Sequence, residues 1–286
     1  MAKGRELKGR IKSVENTRKI TRTMEMVATS KMKRAQERVT AARPFAIVLT
    51  EVIASLYSRE LAERFPLLRQ PATVRRAAML VLTSNRGLAG GFNSNLIKEA
   101  RNVLARLEAK NVEVELHVVG RKGIGYFRYV GRAMEATRTN ISDRPTVNDA
   151  AALVDGLMDR FASGALDAVY VISAKFKSAL STPPHTEQIL PVTPPERKGP
   201  VHDYLLFPSA DAILTELLPA YVRNIVYRAL VENEAGFQGA QRTAMKSATD
   251  NATDILNMLR RNYNRARQAN ITQEISEIVG GAAGLE

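Results

Sequence analysis

Residues 7–56 read LKGRIKSVENTRKITRTMEMVATSKMKRAQERVTAARPFAIVLTEVIASL, and this stretch decides the fold. Alternating spacings of four and three residues pick out fifteen positions, of which twelve are apolar. Such a repeat predicts the narrow seam of a coiled coil, because a helix in a globular bundle presents a broader apolar face. The positions are Leu7, Ile11, Val14, Arg18, Thr21, Glu25, Ala28, Met32, Ala35, Val39, Ala42, Ala46, Leu49, Ile53 and Leu56.

Two local features modify this helix. The three polar positions of the repeat are consecutive: Arg18, Thr21 and Glu25. Beside them, Ile20, Met24 and Val27 form an apolar stripe that is displaced by one residue. We therefore expect the apolar face to rotate locally. Pro44 is expected to kink or interrupt the helix near Arg43, since proline has no N–H to donate.

The carboxy-terminal segment also predicts a long helix. Ser209 is a predicted N-cap with Asp211 in the first turn, and Pro219 is expected to bend the first turns. The expected apolar face consists of Leu214, Leu217, Leu218, Tyr221, Ile225, Ala229 and Leu230, followed by Ala244, Ala248, Asn251, Ile255, Leu259, Asn262, Ala266 and Ala269.

Each terminal segment has about fifty residues or more, so each helix would extend roughly 75 Å. A small domain cannot bury such a helix, whereas pairing the two segments buries both seams. The sequence therefore predicts an α/β fold plus a long antiparallel coiled coil, in which terminal helices in residues 1–60 and 209–286 form a shaft. A Rossmann-like α/β domain with a mostly parallel sheet is expected in residues 75–195. A bundle whose helices cover a common core is the alternative.

The middle of the chain alternates strand and helix patterns, which is typical of a doubly wound, mostly parallel sheet. A last strand is flanked by prolines, and Thr146 is the expected cap of the third helix. Strands are expected at 77–83, 112–119, 134–138, 167–176 and 187–192, and helices at 93–109, 123–129 and 146–161.

The turn SNRGLAGGFNSN, residues 84–95, lies where a dinucleotide-binding fold has its phosphate loop. Its glycines are spaced G-x-x-G-G rather than G-x-G-x-x-G, and no acidic residue follows at the ribose position. No P-loop Lys-Ser/Thr follows either. The glycines are therefore interpreted as structural, permitting a tight turn from strand to helix.

No catalytic constellation is found in the sequence. The chain has no Cys, which excludes thiolate metal sites and cysteine nucleophiles, and its three His (His117, His185 and His202) are scattered. Paired carboxylates, a serine elbow and kinase-type loops are absent. We expect no enzyme activity, no metal, no cofactor and no direct small-molecule substrate. The charged amino terminus does not resemble a signal peptide and no apolar run could span a bilayer, so we expect a cytoplasmic or peripheral location.

The net charge of +13 is unevenly distributed along the chain. Residues 1–45 contain thirteen Lys and Arg against four Glu, whereas residues 241–286 contain six basic and five acidic residues. A basic stripe on one helix predicts an acidic partner, which could be nucleic acid, lipid headgroups or an acidic protein surface.

Both ends of the chain carry long motifs of a known family. IKSVENTRKITRTMEMVATSKMK (residues 11–33) resembles the amino-terminal signature of gamma subunits of bacterial F-type, H+-transporting ATP synthases, and ARQANITQEISEIVGG (266–281) resembles their carboxy-terminal signature. Residues 84–91 resemble the family's S-x-R-G-L-C-G-G turn, and residues 244–251 its A-M-K-x-A-T-D-N run. The resemblance is collinear over essentially the whole chain.

The resemblance implies a non-catalytic rotor subunit of the central stalk. It couples proton-driven rotation of a membrane ring to ATP synthesis or hydrolysis in a ring of three alpha and three beta subunits. The implied partners are the alpha and beta subunits with acidic beta loops, the epsilon subunit and the membrane c-ring, with no nucleic acid. The implied location is peripheral, on the cytoplasmic face of the bacterial inner (plasma) membrane. By motif position, the ring contacts are Met24, Lys31, Gln268, Thr272 and Glu274, and Tyr204 contacts the rotor ring at the foot.

The chain departs from the family pattern at three places. Ala89 replaces the usual cysteine of the glycine-rich turn, so no thiol chemistry is expected there. Gly236 and Phe237 stand where the family usually has Ser-Glu. Gln241 stands where the family has an arginine that contacts the beta subunit, and whether the adjacent Arg242 replaces it is left open.

Two other functions remain as alternatives. A nucleic-acid-binding coiled coil would also be basic, but the amino-terminal helix has no aromatic residue before Phe45 on which bases could stack. Tighter salt-dependent binding to duplex than to an alpha–beta ring would favour that function. A nucleotide-binding enzyme would require saturable dinucleotide binding by residues 75–195.

Overall fold

The computed structural model describes residues 2–56, 64–178, 181–193 and 209–283. Residues 1–28 and 241–286 form one compact unit, and residues 29–240 form a second. The helices are α1 (Ala2–Leu56), α2 (Phe92–Glu108), α3 (Arg121–Tyr129), α4 (Val147–Ala162) and α5 (Ala210–Ala283), with a 3-10 turn at Pro66–Leu68. The strands are β1 (Arg76–Leu82), β2 (Glu113–Val119), β3 (Ala136–Arg138), β4 (Ala168–Ala174) and β5 (Pro184–Leu190).

The five strands form one sheet in the order β3-β2-β1-β4-β5. The pairs β1–β2, β1–β4 and β2–β3 are parallel, and β5 is antiparallel to β4 at the edge. Central β1 sets the register, with Leu80 opposite His117 on one side and Val171 on the other. The prediction of a mostly parallel, doubly wound sheet is confirmed.

Both faces of the sheet are covered, so β1 is apolar on both sides. Met79 and Val81 face a core shared with α2 and α3, whereas Leu80 and Leu82 face a core shared with α4. Leu49 and Ile53 of α1 join the second core. The first turns of α5 also join it, through Leu214, Leu218, Val222, Ile225, Val226, Ala229 and Leu230. Val222 and Val226 are not in the predicted apolar face of this helix.

The helix starts follow the capping residues that the sequence predicts. Ser209 Oγ accepts the backbone N–H of Ala212 at 3.2 Å at the start of α5. At α4, Thr146 Oγ1 accepts from the N–H of Asp149, and the Asp149 carboxylate accepts from the N–H of Thr146 at 2.7 Å. Each cap satisfies N–H groups that have no partner within the helix.

Neither internal proline ends its helix. Both α1 and α5 are continuous through Pro44 and Pro219, so the expectation that Pro44 could interrupt α1 is wrong. A proline in a helix interior costs about 3 kcal/mol. Burial of Leu49 and Ile53 beyond Pro44 offsets that cost.

The β5 strand lies earlier in the chain than predicted. It begins at Pro184 rather than at residue 187, because an edge strand tolerates a proline where no ladder hydrogen bond is needed. The chain leaves the sheet at the other end, where Val192 donates its N–H to the carbonyl of Leu67 at 3.0 Å.

Two departures from the family pattern have a packing explanation. Ala89 is buried in the core formed with α2, where a small apolar side chain suffices. Phe237 enters the same core and meets Phe92 edge to face, with ring centroids 5.8 Å apart. A Cβ on Gly236 would lie 3.2 Å from the Phe92 ring and 3.3 Å from the Cβ of Ala174, so the glycine makes room for this packing.

Candidate partner-contact surfaces

The unit formed by residues 1–28 and 241–286 contains an antiparallel pair of α1 and α5. Thr249 Oγ1 donates to Thr21 Oγ1 at 2.8 Å, and Thr21 Oγ1 donates to the carbonyl of Arg18 at 3.1 Å. Earlier in α1, Glu15 forms an ion pair with Arg260, which lies later in α5. The contacts therefore run in opposite directions along the two helices, and the predicted pairing of the terminal helices is confirmed.

The seam of α1 follows the predicted repeat in both units. In the first unit its positions are buried at Thr21 and Ala28 and half-buried at most of the others. In the second unit the buried positions are Met32, Ala35, Val39, Ala46, Leu49 and Ile53.

The expected rotation of the apolar face is wrong. Thr21 is 8% exposed and Ala28 is 1% exposed, whereas Ile20 and Val27 of the displaced stripe are 60% and 50% exposed. A threonine can occupy the seam because its hydroxyl finds partners on both helices. The stripe is thus an exposed apolar feature beside the seam, with Met24 half-buried between the two.

The seam of α5 is displaced by one residue from part of the prediction. Leu256 is 1% exposed, whereas the predicted Ile255 is 44% exposed. The prediction holds at Leu259 and Ala266, which are buried and half-buried, but the predicted positions Asn251, Ile255, Asn262 and Ala269 are exposed. The buried and half-buried seam residues are Met245, Thr249, Ala252, Leu256, Leu259, Tyr263 and Ala266.

The last turns of α5 are exposed on all sides within residues 271–280. The predicted contact residues Thr272 and Glu274 lie on this exposed part of the helix, and Gln268, just before it, is also exposed. Beside them, apolar side chains recur at helical spacing without cover from the described residues: Ile271, Ile275, Ile278 and Val279. An apolar stripe of this kind indicates a surface that a partner covers.

The remaining candidate contact residues are Lys31, Arg242 and Tyr204. Lys31 belongs to the unit of residues 29–240, where its Nζ lies 2.7 Å from Oδ2 of Asp143. Arg242 is half-buried on α5, next to half-buried Gln241. Tyr204 lies outside the described residues.

A cavity of about 440 Å³ lies near Lys31, at the carboxyl ends of β1 and β2. On its α5 side, Gln238 Nε2 donates to Glu234 Oε1 at 2.7 Å, while the buried Gln238 Oε1 has no partner among the described residues. Burial raises the pKa of Glu234, and the carboxylate of Asp143 acts in the same direction. The cavity therefore combines a poorly solvated carboxyl group with the Lys31–Asp143 pair.

Residues at the end of β1 and the start of the glycine-rich turn occupy the amides at the amino terminus of α3, the helix that follows β2. The N–H of Arg121 donates to Asn85 Oδ1 at 3.1 Å, and that of Lys122 to the carbonyl of Ser84 at 3.2 Å. The N–H of Gly123 donates to Thr83 Oγ1 at 2.9 Å. A phosphate at a helix amino terminus needs such N–H groups as donors, and here the chain's own oxygens take them. This geometry agrees with the structural interpretation of the turn.

A second cavity, of about 280 Å³, lies beside β2 and α4. Arg160 reaches Glu115 with two hydrogen bonds of 2.6 and 2.7 Å, and this contact holds the pKa of Glu115 below its ordinary value of 4.5. Burial lowers the pKa of His117, whose Nε2 is 3.9 Å from Glu115 and has no hydrogen-bond partner among the described residues. The group is a structural ion pair beside a neutral histidine.

The Arg160 substitution tests this ion pair through acid stability. Arg160→Gln is expected to lower the free energy of unfolding at pH 7 by about 1 kcal/mol, because one bidentate contact to a carboxylate is lost. The lowered pKa of Glu115 gives stability that is present above pH 4.5 and is lost as the pH falls through the folded-state value. Urea unfolding from pH 7 to pH 3 should therefore show a smaller loss on acidification for the variant. An unchanged pH profile would contradict the pair's role.

The described ranges contain no metal-binding cluster and no candidate membrane span. No group of three His, Asp or Glu side chains comes together there as a metal ion would require. None of the helices in the described part of the chain combines the length and apolarity needed to cross a membrane.

Sequence comparison gives matches over the whole chain. The model of a family described as ATP synthase matches residues 3–285. The ATP synthase gamma chain of Gemmatimonas aurantiaca is 68% identical over 289 residues, covering all of both chains.

Solved structures give the same picture for the fold. A chain from the central stalk and c-ring of the Tetrahymena thermophila mitochondrial ATP synthase is 25% identical, with a TM-score of 0.62 over 80% of this chain and 99% of that one. A chain from the Euglena gracilis mitochondrial ATP synthase has a TM-score of 0.71 over 99% of this chain and 95% of that one. At 18% identity, the second match concerns the fold alone.

Proposed function

Because the chain belongs to the gamma-chain family of ATP synthases, we propose that it is the central-stalk rotor subunit of a bacterial F-type ATP synthase. In this role it couples proton-driven rotation of a membrane ring to ATP synthesis or hydrolysis in a ring of alpha and beta subunits. The observation that carries the proposal is the 68% identity to a gamma chain over the full length of both proteins.

The proposed mechanism depends on asymmetry. A pair of helices has no three-fold axis, so at any angle it presents a different surface to each of three equivalent subunits. In the unit of residues 1–28 and 241–286, exposed Ile20 and Val27 make one side of α1 apolar, while basic residues such as Arg22 are exposed elsewhere on the same helix. A subunit whose conformation fits the face that it meets gains contact free energy, and this difference links rotor angle to nucleotide affinity.

The proposed ring contacts are Met24, Lys31, Gln268, Thr272 and Glu274. Gln268, Thr272 and Glu274 are exposed, and the neighbouring apolar stripe on α5 requires cover, which supports this part of the proposal. Acidic loops of the beta subunits are the proposed partners of the basic helix α1. Charge pairs in solvent are weak and reversible, which suits contacts that break and re-form during rotation.

The proposed division of labour follows the predicted domains. Residues 1–60 and 209–286 act as the shaft, and residues 75–195 act as the foot that meets the epsilon subunit and the c-ring, with Tyr204 near that ring. The chain is proposed to carry no catalytic site of its own, in keeping with the G-x-x-G-G spacing of its glycine-rich turn. The whole subunit is peripheral, on the cytoplasmic face of the inner membrane.

Reconstitution with purified alpha and beta subunits tests this function. Adding the chain is expected to raise ATP hydrolysis at least about tenfold, equal to about 1.4 kcal/mol of activation free energy. A chain lacking residues 257–286 should lose most of that gain, because it lacks Gln268, Thr272 and Glu274. Removal of residues 284–286 alone is the control and should preserve the gain.

Two outcomes would contradict the proposal. Full hydrolytic activity of the alpha and beta subunits without the chain would leave it no role in the ring. Tighter binding to random-sequence duplex DNA than to the ring, with a strong salt dependence, would favour the nucleic-acid alternative instead.

A further inference from the structure

Asp143 lies in the connection between β3 and α4, where it meets two cations of α1. Lys31 Nζ is 2.7 Å from Asp143 Oδ2, and Arg38 donates from Nη1 to the Asp143 carbonyl at 3.3 Å. The two cations are seven residues apart, so they lie on one face of the helix two turns apart. The hydrogen bond from Lys31 keeps the pKa of Asp143 below its ordinary value of 3.8, so the carboxylate is ionised at neutral pH.

The connection that carries Asp143 is attached to the sheet. Asn85 Nδ2 donates to the carbonyl of Thr139 at 3.0 Å and to that of Ile141 at 3.4 Å. Asn85 is itself held, because its Oδ1 accepts the N–H of Arg121 at the start of α3. Asp143 is therefore presented to α1 from a segment tied to the carboxyl ends of the strands.

Helix α1 does not need this ion pair to keep its place. Met32 and Val39, which directly follow Lys31 and Arg38 in α1, are buried in a cluster with Val231 of α5. The pair itself is open to solvent, with 34% of the Lys31 side chain and 48% of the Asp143 side chain exposed. Pairs this exposed contribute about 0–1 kcal/mol, so this one can open while α1 stays packed.

We propose that Asp143 competes with an acidic partner surface for Lys31 and thereby limits how strongly this lysine binds that partner. The inference rests on the proposed function, in which Lys31 contacts acidic loops of the alpha–beta ring. A lysine that must leave one carboxylate to reach another gains little net free energy from the exchange. Asp143 is thus a positioning residue that keeps the Lys31 contact weak and reversible.

Glu234 is another carboxyl group within electrostatic reach of Lys31, and it is a poor substitute for Asp143. It lies on α5 and is largely buried, and its Oε1 accepts from Gln238. Among the described residues, Asp143 is the carboxylate that forms an ion pair with Lys31, so removing its charge leaves Lys31 no equivalent solvent-accessible partner there.

A double-mutant cycle on the full chain tests the competition. Asp143→Asn is expected to tighten binding to a purified alpha–beta ring about two- to fivefold at low salt, because Lys31 is released for the partner. High salt should reduce the gain. In a Lys31→Gln background, Asp143→Asn should have no effect, since the contested group is gone. Asp159→Asn, which changes the same charge on an exposed residue of α4, is the matched control and should leave affinity unchanged.

The outcomes separate this inference from the proposed function. Ring binding that Asp143→Asn leaves unchanged or weakens overturns the competition alone. A gain that persists in the Lys31→Gln background also overturns it, because the effect then comes from net charge. Absence of any ring binding by the wild-type chain overturns the competition and the proposed function together.

Discussion

Gly120→Ala is expected to destabilise the unit of residues 29–240 by about 3 kcal/mol, the sum of steric overlap and an unfavourable backbone conformation. Gly120 follows β2 with φ of 95°, and an added Cβ would lie 2.2 Å from the carbonyl oxygen of Thr83. Thr83 cannot retreat, because its N–H donates to the carbonyl of Val119 at 2.8 Å and its Oγ1 accepts from Gly123. A thermal melt should show a midpoint lower by roughly 6–12 °C.

Gly125→Ala is the matched control for this substitution. Gly125 lies in α3 only five residues later, and no heavy atom lies within 4 Å of an added Cβ. Alanine has the higher helix propensity, so this variant should be neutral or more stable by up to about 1 kcal/mol. Equal destabilisation by both substitutions would show that the close approach of Gly120 to Thr83 is not what requires the glycine.

The close approach at Gly120 also accounts for how the amino terminus of α3 is filled. It brings the ends of β1 and β2 together so that oxygens of Thr83, Ser84 and Asn85 fill the amino terminus of α3. The sequence already indicated a structural turn through its glycine spacing. Which oxygens fill the amino terminus of α3 depends on contacts between residues about forty positions apart, which no local pattern contains.

The α/β domain was predictable because its elements carry local signals. Parallel strands buried on both faces read as continuous apolar runs, and β1 and β4 were found within a residue or two of their predicted limits. Thr146 and Ser209 marked helix starts for the same reason. The β5 strand was misplaced because prolines mask the pattern of an edge strand.

The two seams were not equally predictable. In α1, large apolar residues such as Leu49 and Ile53 fix the phase of the repeat. In α5, small residues at positions 244, 248 and 252 fit several phases, so tertiary packing alone decides which of Ile255 and Leu256 enters the seam. In α1, by contrast, the polar residue Thr21 occupies a seam position, because Thr249 on α5 provides it with a hydrogen-bond partner.

Some candidate contacts were predictable from the sequence and others were not. The positions of Met24, Lys31 and Gln268 in the family motifs predict contacts with partner subunits, and these remain predictions. The pairing of Lys31 with Asp143, separated by 112 residues in sequence, was out of reach of sequence reasoning. An isolated aspartate in a loop carries no periodic or motif signal, so only the fold identifies it as a competitor for Lys31.

Leu256→Ala tests the phase of the α5 seam directly. Leu256 is 1% exposed, so its truncation should leave a cavity and cost about 3 kcal/mol in the unit of residues 1–28 and 241–286. The neighbouring Ile255→Ala removes as many carbon atoms from a side chain that is 44% exposed, and should cost less than about 1 kcal/mol. Hydrogen exchange of the amides between residues 245 and 266 measures the opening free energy of this unit. If Ile255→Ala accelerated exchange more than Leu256→Ala, the phase read from the amino-acid sequence would be right, and Ile255 would belong to the seam.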